Sequence, residues 1–274
     1  MYRNAAVKPV LPDLFAATPN GDGAVRARSG YVFPPFLVME RGMTLAEWLQ
    51  APRDSLAVLG MFNSCAALLA TLHAAGQVHR DLKPDNVLLM LQTQNWRLID
   101  FGIAAPASAL RQAISSQALG KAVFSQSVYG LSWSFADGWT AESVCCIAGK
   151  EAPAQCTLGY AAPEVIRAFD DKALVTVDPA QDVWALGVMV FEAFTRKPAV
   201  DPFGGVEGCV ALARGDKQYP WEAEEQAKAF GGSRARQLVE SCLAREPEKR
   251  PSAAALVDAI NMISNRTEAA QDGK

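Results

Sequence analysis

The sequence predicts an α+β chain in which a short strand-bearing segment precedes a long, mainly helical body. Three observations predict it. Apolar residues recur at helical spacing in four long stretches after residue 43, whereas "YVFPPFLV" (31–38) reads as a strand. The composition, half hydrophobic and 20% charged over 274 residues, is that of a globular chain with one large core or two small ones.

Residues 1–30 are weakly patterned, with Pro9, Pro12 and Pro19 and glycines at 21, 23 and 30. The strand at 31–38 runs into a polar connector, "MERG" (39–42). Asp54 is placed to cap a helix whose apolar positions are Leu56, Leu59, Phe62, Cys65, Leu68, Leu69 and Leu72, and Gly76 stops it. From Ala105 to Gln155 helix signals fade after Leu119, and "LSWSF" (131–135) alternates large apolar residues with serines, as a short strand or hairpin does. Asp178 then caps a helix with Pro179 at its first position, where the missing N–H is harmless. That helix is apolar nearly all round from Val183 to Phe194, the pattern of a buried central helix. Two further helices are expected at 233–245 and 252–263, followed by a polar tail from 265 to 274.

The totals exclude several classes. A net charge of −3, from 26 basic and 29 acidic residues, gives no electrostatic footprint for nucleic acid. The strongest apolar run, Val183–Phe191, is far shorter than the roughly 20 residues that cross a bilayer. The first 15 residues lack the continuous apolar stretch of a signal peptide. Six cysteines (65, 145, 146, 156, 209, 242) form no CxxC pair, so buried or unpaired thiols and an intracellular, cytoplasmic setting are expected, without excluding the nucleus.

Five motifs carry the chemistry. "HRDLKPDN" (79–86) sits on a loop directly after a helix, and "DFG" (100–102) lies 19 residues beyond Asp81. "TLGYAAPE" (157–164), "DVWALG" (182–187) and "REPEKRP" (245–251) follow. In this order and context they resemble the eukaryotic-type protein kinases of the serine/threonine class, over a span from about Phe36 to the last helix. The resemblance implies a protein-kinase-like fold with a complete, mainly helical C-lobe and a β-rich N-lobe that is truncated or degenerate. Its domains would be an N-lobe remnant (1–38), the hinge and C-lobe (39–264) with a long activation-segment insertion (105–155), and the tail (265–274).

Phosphoryl transfer needs a carboxylate to accept the incoming hydroxyl's proton, cations to offset phosphate charge, and hard oxygens to hold magnesium. By resemblance Asp81 is the base, Lys83 meets the γ-phosphate, and Asn86 and Asp100 hold Mg²⁺ with ATP as phosphate donor. Lys83 and Thr157 go with serine or threonine acceptors on a protein substrate. Glu164 would pair with Arg250, and Asp182 would hold the backbone amides of the catalytic loop. Leu88 would form the floor under the adenine, with Glu40 and Gly42 offering hinge backbone groups. His79 is expected to pack behind Phe101, and His73 to be an ordinary helix-face residue.

The family pattern is thinner at the front. "AAVK" (5–8) makes Lys8 the counterpart of the phosphate-binding strand lysine, but no glutamate lies between Lys8 and Met39 to position it. "GDGAVR" (21–26) echoes a glycine-rich loop on the wrong side of Lys8 and reads as a turn. Glu164 lies 64 positions after Asp100, a span longer than the usual activation segment, with Phe124, Tyr129, Trp133, Phe135 and Trp139 arguing against simple disorder. That insertion is read as a regulator or partner-docking element, with Ser115, Ser116, Ser125, Ser127, Thr140 and Ser143 as phosphosites and Arg80 as their receiver. The functional expectation is ATP-dependent transfer to protein hydroxyls. The alternative is a catalytically weak pseudokinase or scaffold acting by partner binding, because the glycine loop and helix glutamate are missing.

Overall fold

A computed structural model describes residues 10–11, 14–17, 25–26, 32–33, 37–107, 122–127, 130–135, 151–153, 157–171, 173–197, 205–216 and 233–271. Lys8 lies outside these residues, as do Gly21 and Gly23, Cys145, Cys146 and Cys156, and the hydroxyl positions 115, 116, 140 and 143.

The first four strands form two antiparallel ladders: β1 (Leu14–Ala17) pairs with β4 (Leu37–Met39), and β2 (Val25–Arg26) with β3 (Val32–Phe33). Strand structure therefore begins well before residue 31, where the sequence shows too little alternation to reveal two- to four-residue strands. β5 (Gly42–Thr44) leads into a single helical turn, α1 (Leu45–Trp48). The turn is set by a capping box: Glu47 N–H donates to Thr44 Oγ1 at 3.1 Å and Thr44 N–H donates to Glu47 Oε2 at 2.8 Å.

α2 (Ser55–Ala74) is capped by Asp54, whose Oδ1 accepts from Ala57 N–H at 2.7 Å, and Gly76 closes it at φ +71°. By length and composition this helix could cross a membrane. Its Met61, Phe62, Cys65, Leu69 and Leu72 are instead buried in the core, against α4 (Ala180–Thr195) and α7 (Ala253–Gln271). Leu56, counted among the apolar positions, is exposed, and Val58 takes the inward place one turn in.

α4 is the centre of the molecule, buried without interruption from Gln181 to Phe191. Pro179 stands at its N-cap rather than its first helical position, and Asp178 Oδ1 accepts from Ala180 N–H at 2.8 Å. α3 (Pro163–Asp170) packs on α5 (Gly205–Arg214), and α6 (Ser233–Cys242) packs on α4 and α7. The segment expected as a polar tail is helical as far as Gln271.

Three small ladders place the site. β7 (Val87–Met90) sits between β5 and β8 (Trp96–Leu98) in a three-stranded antiparallel sheet, with Val87 opposite Leu98. β6 (Gln77–Val78) pairs with β9 (Ala105–Pro106). The loop 79–86 therefore leaves β6 and enters β7, while the loop 99–104 leaves β8 and enters β9, so two ladders hold both loops side by side. Among the inserted residues, β10 (Ala122–Ser127) and β11 (Gly130–Phe135) form an antiparallel hairpin, as the alternation in "LSWSF" suggests. β12 (Glu151–Pro153) pairs with β13 (Leu174–Thr176).

Candidate active site

The loop 79–86 is held from beneath by one carboxylate. Asp182, on the first turn of α4, accepts from Arg80 N–H through Oδ1 and from His79 N–H through Oδ2, both at 2.8 Å. His73, near the end of α2, places Nε2 2.9 Å from the same Oδ2. Burial pushes the Asp182 carboxyl up. The His73 hydrogen bond, the electrostatic influence of the His73 and His79 rings and the His79 amide outweigh it, holding the group below its ordinary value. From sequence alone His73 is an ordinary helix-face residue. The missing signal is tertiary, because Asp182 is 109 residues away.

His79 closes the loop's upper side. Its ring stacks at a tilt on Phe101 with centroids 4.8 Å apart, Nδ1 accepts from Asp81 N–H, and Nε2 faces the Ile99 carbonyl at 2.9 Å. With Nδ1 accepting, the ring proton sits on Nε2 and donates to that carbonyl. Arg80 donates to the Ile103 carbonyl at 3.1 Å, tying the loop to the residues after Gly102. Arg80 and Asp100 both hold left-handed backbone, at φ +70° and +58°, a conformation costing on the order of 1 kcal/mol or more for a non-glycine residue.

Asp81, Lys83, Asn86 and Thr157 converge. Lys83 Nζ lies 2.8 Å from Asp81 Oδ2 and 3.1 Å from Thr157 Oγ1, and Thr157 donates to Asp81 Oδ1 at 2.7 Å. Asn86 Nδ2 donates to the Asp81 backbone carbonyl at 2.8 Å and to Oδ2 at 3.2 Å. Each Asp81 oxygen thus has a directed partner, and three side chains fix the carboxylate plane. Asp100 comes near through the backbone, since Ile99 N–H donates to the Asn86 carbonyl at 3.0 Å. Its own Oδ1 accepts from Gly102 N–H at 3.3 Å, and the residue is exposed.

The donor chemistry of Asn86 and Asp100 fits magnesium. The Asn86 nitrogen is spent on Asp81, leaving its carbonyl oxygen, and Asp100 supplies an anionic oxygen. Among the described residues no group of three or more His, Cys, Asp or Glu side chains is poised to hold a metal. A divalent ion here would rest on these two oxygens plus phosphate and water.

The positions expected at the hinge and floor meet along the β5–β7 pairing. Gly42 stands opposite Met90 and Thr44 opposite Leu88. A Cβ on Gly42 would lie 2.5 Å from Met90 Cε and 2.9 Å from Leu88 Cβ, so only glycine lets β5 approach this closely. Glu40 is half-buried, with Oε1 enclosed and without a hydrogen-bond partner among the described residues.

Behind the site, Glu164 and Arg250 form a bidentate pair at 2.7 and 2.8 Å, and Arg250 also donates to the carbonyls of Ala180, Ala244 and Arg245. Tyr160 donates to Glu192 at 2.9 Å, a contact across 32 positions that no local pattern encodes. Burial, then the Glu192 charge, pushes the Tyr160 hydroxyl well above its ordinary value.

The protein kinase domain family model matches residues 36–125 and 144–260. The serine/threonine-protein kinase ppk13 of Schizosaccharomyces pombe is 26% identical over 193 residues, covering 69% of this chain and 45% of that protein. PknL of Mycobacterium tuberculosis is 30% identical over 191 residues, covering 68% and 36%, and AfsK of Streptomyces coelicolor is 29% identical over 205 residues, covering 75% and 19%. The chain spans less than half the length of these curated relatives.

Proposed function

The chain belongs to the protein kinase domain family, and from that premise we propose that it transfers the γ-phosphate of ATP to serine or threonine hydroxyls of proteins. The observation that carries the proposal is the Asp81 carboxylate, held by Thr157, Lys83 and Asn86 on a loop anchored to α4 by Asp182. In this reading Asp81 orients the acceptor hydroxyl and takes its proton. Lys83 places positive charge beside that carboxylate, where the transferred group is negative. Thr157, hydrogen-bonded to both, keeps the two aligned. Asn86 and Asp100 would hold Mg²⁺, which supplies charge neutralisation on the phosphates when bound. Glu40, Gly42 and Leu88 would line the adenine side, and Lys8 would contact the phosphates.

Two further elements belong to the proposal. The insertion at 105–155 would regulate access or dock a partner; mutating all six candidate hydroxyls without effect on activity or binding removes that part. The buried free thiols Cys65, Cys209 and Cys242 support a reducing, intracellular setting.

The test is phosphate transfer from labelled ATP to a generic serine/threonine substrate and to the chain itself, beside Asp81→Asn. The variant is expected to lose about 10²–10⁴-fold in rate with its melting temperature preserved. Equal transfer in both forms would remove Asp81 from the mechanism. No transfer in either would favour a catalytically weak protein that works by binding a partner.

A further inference from the structure

We propose that the pocket between the start of α2 and the end of α4 is a binding site for a phosphate monoester, built by Arg53 and Arg196. The pocket measures about 220 Å³, and Arg53, Ser55, Val58, Phe194 and Arg196 are among its lining residues. That is below the roughly 300–1,000 Å³ of sites for whole small molecules, so it suits one compact group.

Both guanidinium groups are oriented by neutral acceptors. Arg53 Nε donates to the Trp48 carbonyl at 3.0 Å, and its guanidinium lies over the Trp48 ring, 4.4 Å from the centroid. That ring is itself braced edge-on by Trp96 at 5.6 Å. Arg196 Nη1 donates to the Ala51 carbonyl at 2.7 Å and Nη2 approaches the Gln50 carbonyl at 3.4 Å. The backbone carbonyls of one short segment, 48–51, thus draw two cations into one pocket without neutralising either. No ion pair among the described residues includes Arg53 or Arg196. The neighbouring carboxylate, Asp54, is engaged through Oδ1 as the α2 cap.

A second observation is the backbone of Arg196. It holds φ +58° at the C-cap of α4, where glycine or asparagine is the usual residue. An arginine there carries conformational strain that its guanidinium contacts offset. Two like charges in one pocket repel, and a dianion between them removes that repulsion. The α2 N-terminus adds positive potential on the same side. Guanidinium forks bind phosphate oxygens with paired, charge-assisted hydrogen bonds, and the double charge of a phosphate monoester answers both arginines where a single carboxylate answers one. Both arginines are exposed, so the pocket opens outward and accepts a phosphate carried on a protein serine or threonine.

The test is fluorescence anisotropy, at fixed ionic strength and without ATP, with a labelled phosphoserine peptide and its unphosphorylated counterpart. Inorganic phosphate serves as competitor. The outcome is independent of phosphotransfer. Phosphorylation is expected to tighten binding by about tenfold or more, and each arginine removed to weaken it by about tenfold. The variants are Arg53→Gln and Arg196→Gly, the second suited to the left-handed backbone and therefore able to fold. Arg53→Lys, which keeps the charge but loses the fork, should fall between wild type and Arg53→Gln. Displacement by inorganic phosphate at the peptide's own concentration would assign the site to free phosphate; displacement only at large excess assigns it to the protein-borne group. Equal binding of the two peptides, or full phosphopeptide binding by the folded Arg196→Gly protein, would overturn the site.

Discussion

Asp182 shows how much one side chain organises here. Its two oxygens serve two backbone amides of the loop and the His73 ring, while the residue is almost fully buried. An isolated carboxylate in such a place would be costly; three directed donors make it a fixed anchor. Removing His73 leaves the amide bonds but takes away the side-chain donor at Oδ2. The His73→Ala protein is expected to lose roughly 1–3 kcal/mol of stability, read as a lower denaturant midpoint. Its kcat should fall while KM for the acceptor changes little, because the loop is loosened from behind rather than altered at its surface. An unchanged midpoint would mean His73 is a bystander. Asp81, Lys83 and Asn86 were readable as residue types at fixed spacing. The Thr157 hydrogen bond to Asp81 crosses 76 positions, and no local pattern encodes such a distance.

Among the elements, α4 sets the architecture. Trp184 and Phe191 are among its largest buried side chains, and Gly187 lies where α6 crosses. A Cβ at Gly187 would sit 2.7 Å from Cys242 Cβ and 3.2 Å from Leu243 Cγ. The near contact is the stem of a residue on a packed helix, not the end of a flexible chain, so the helices would have to part. Gly187→Val is therefore expected to cost about 1–3 kcal/mol or more, measured by urea unfolding. Wild-type stability in that variant would show that α6 shifts freely. The apolar run that predicted this helix says nothing of Gly187, whose role depends on Cys242, 55 residues away in sequence. The capping box at Thr44 and Glu47 is the opposite case, a local signal legible in "TLAE" (44–47) just beyond the polar connector.

For the whole molecule, the depressed Asp182 carboxyl makes a statement about acid. Its folded value lies below the ordinary 3.8, so its contribution to stability is fully present above that pH. The contribution disappears as the pH falls through the lower, folded value. The stability curve should be flat in this respect above about pH 4 and decline beneath it. In His73→Ala, whose carboxyl is less depressed, the decline should start at the same pH but be smaller and finish at higher pH. Coincident acid unfolding curves for the two proteins would contradict the assignment.

Fold class, the order of the five motifs and the buried character of α4 are properties of spacing and composition, and both survive in a bare string of letters. So were the candidate base, the magnesium-type oxygens and the pairing of Glu164 with Arg250 named from types and order, through a family resemblance. The strands before residue 31 were hidden because pieces of two to four residues carry no periodicity. The His73–Asp182 bond, the Tyr160–Glu192 contact and the Arg53–Arg196 pocket were hidden for another reason. Each joins residues more than 30 positions apart, and proximity of that kind arises only when helices pack around α4 and bring their ends to one place.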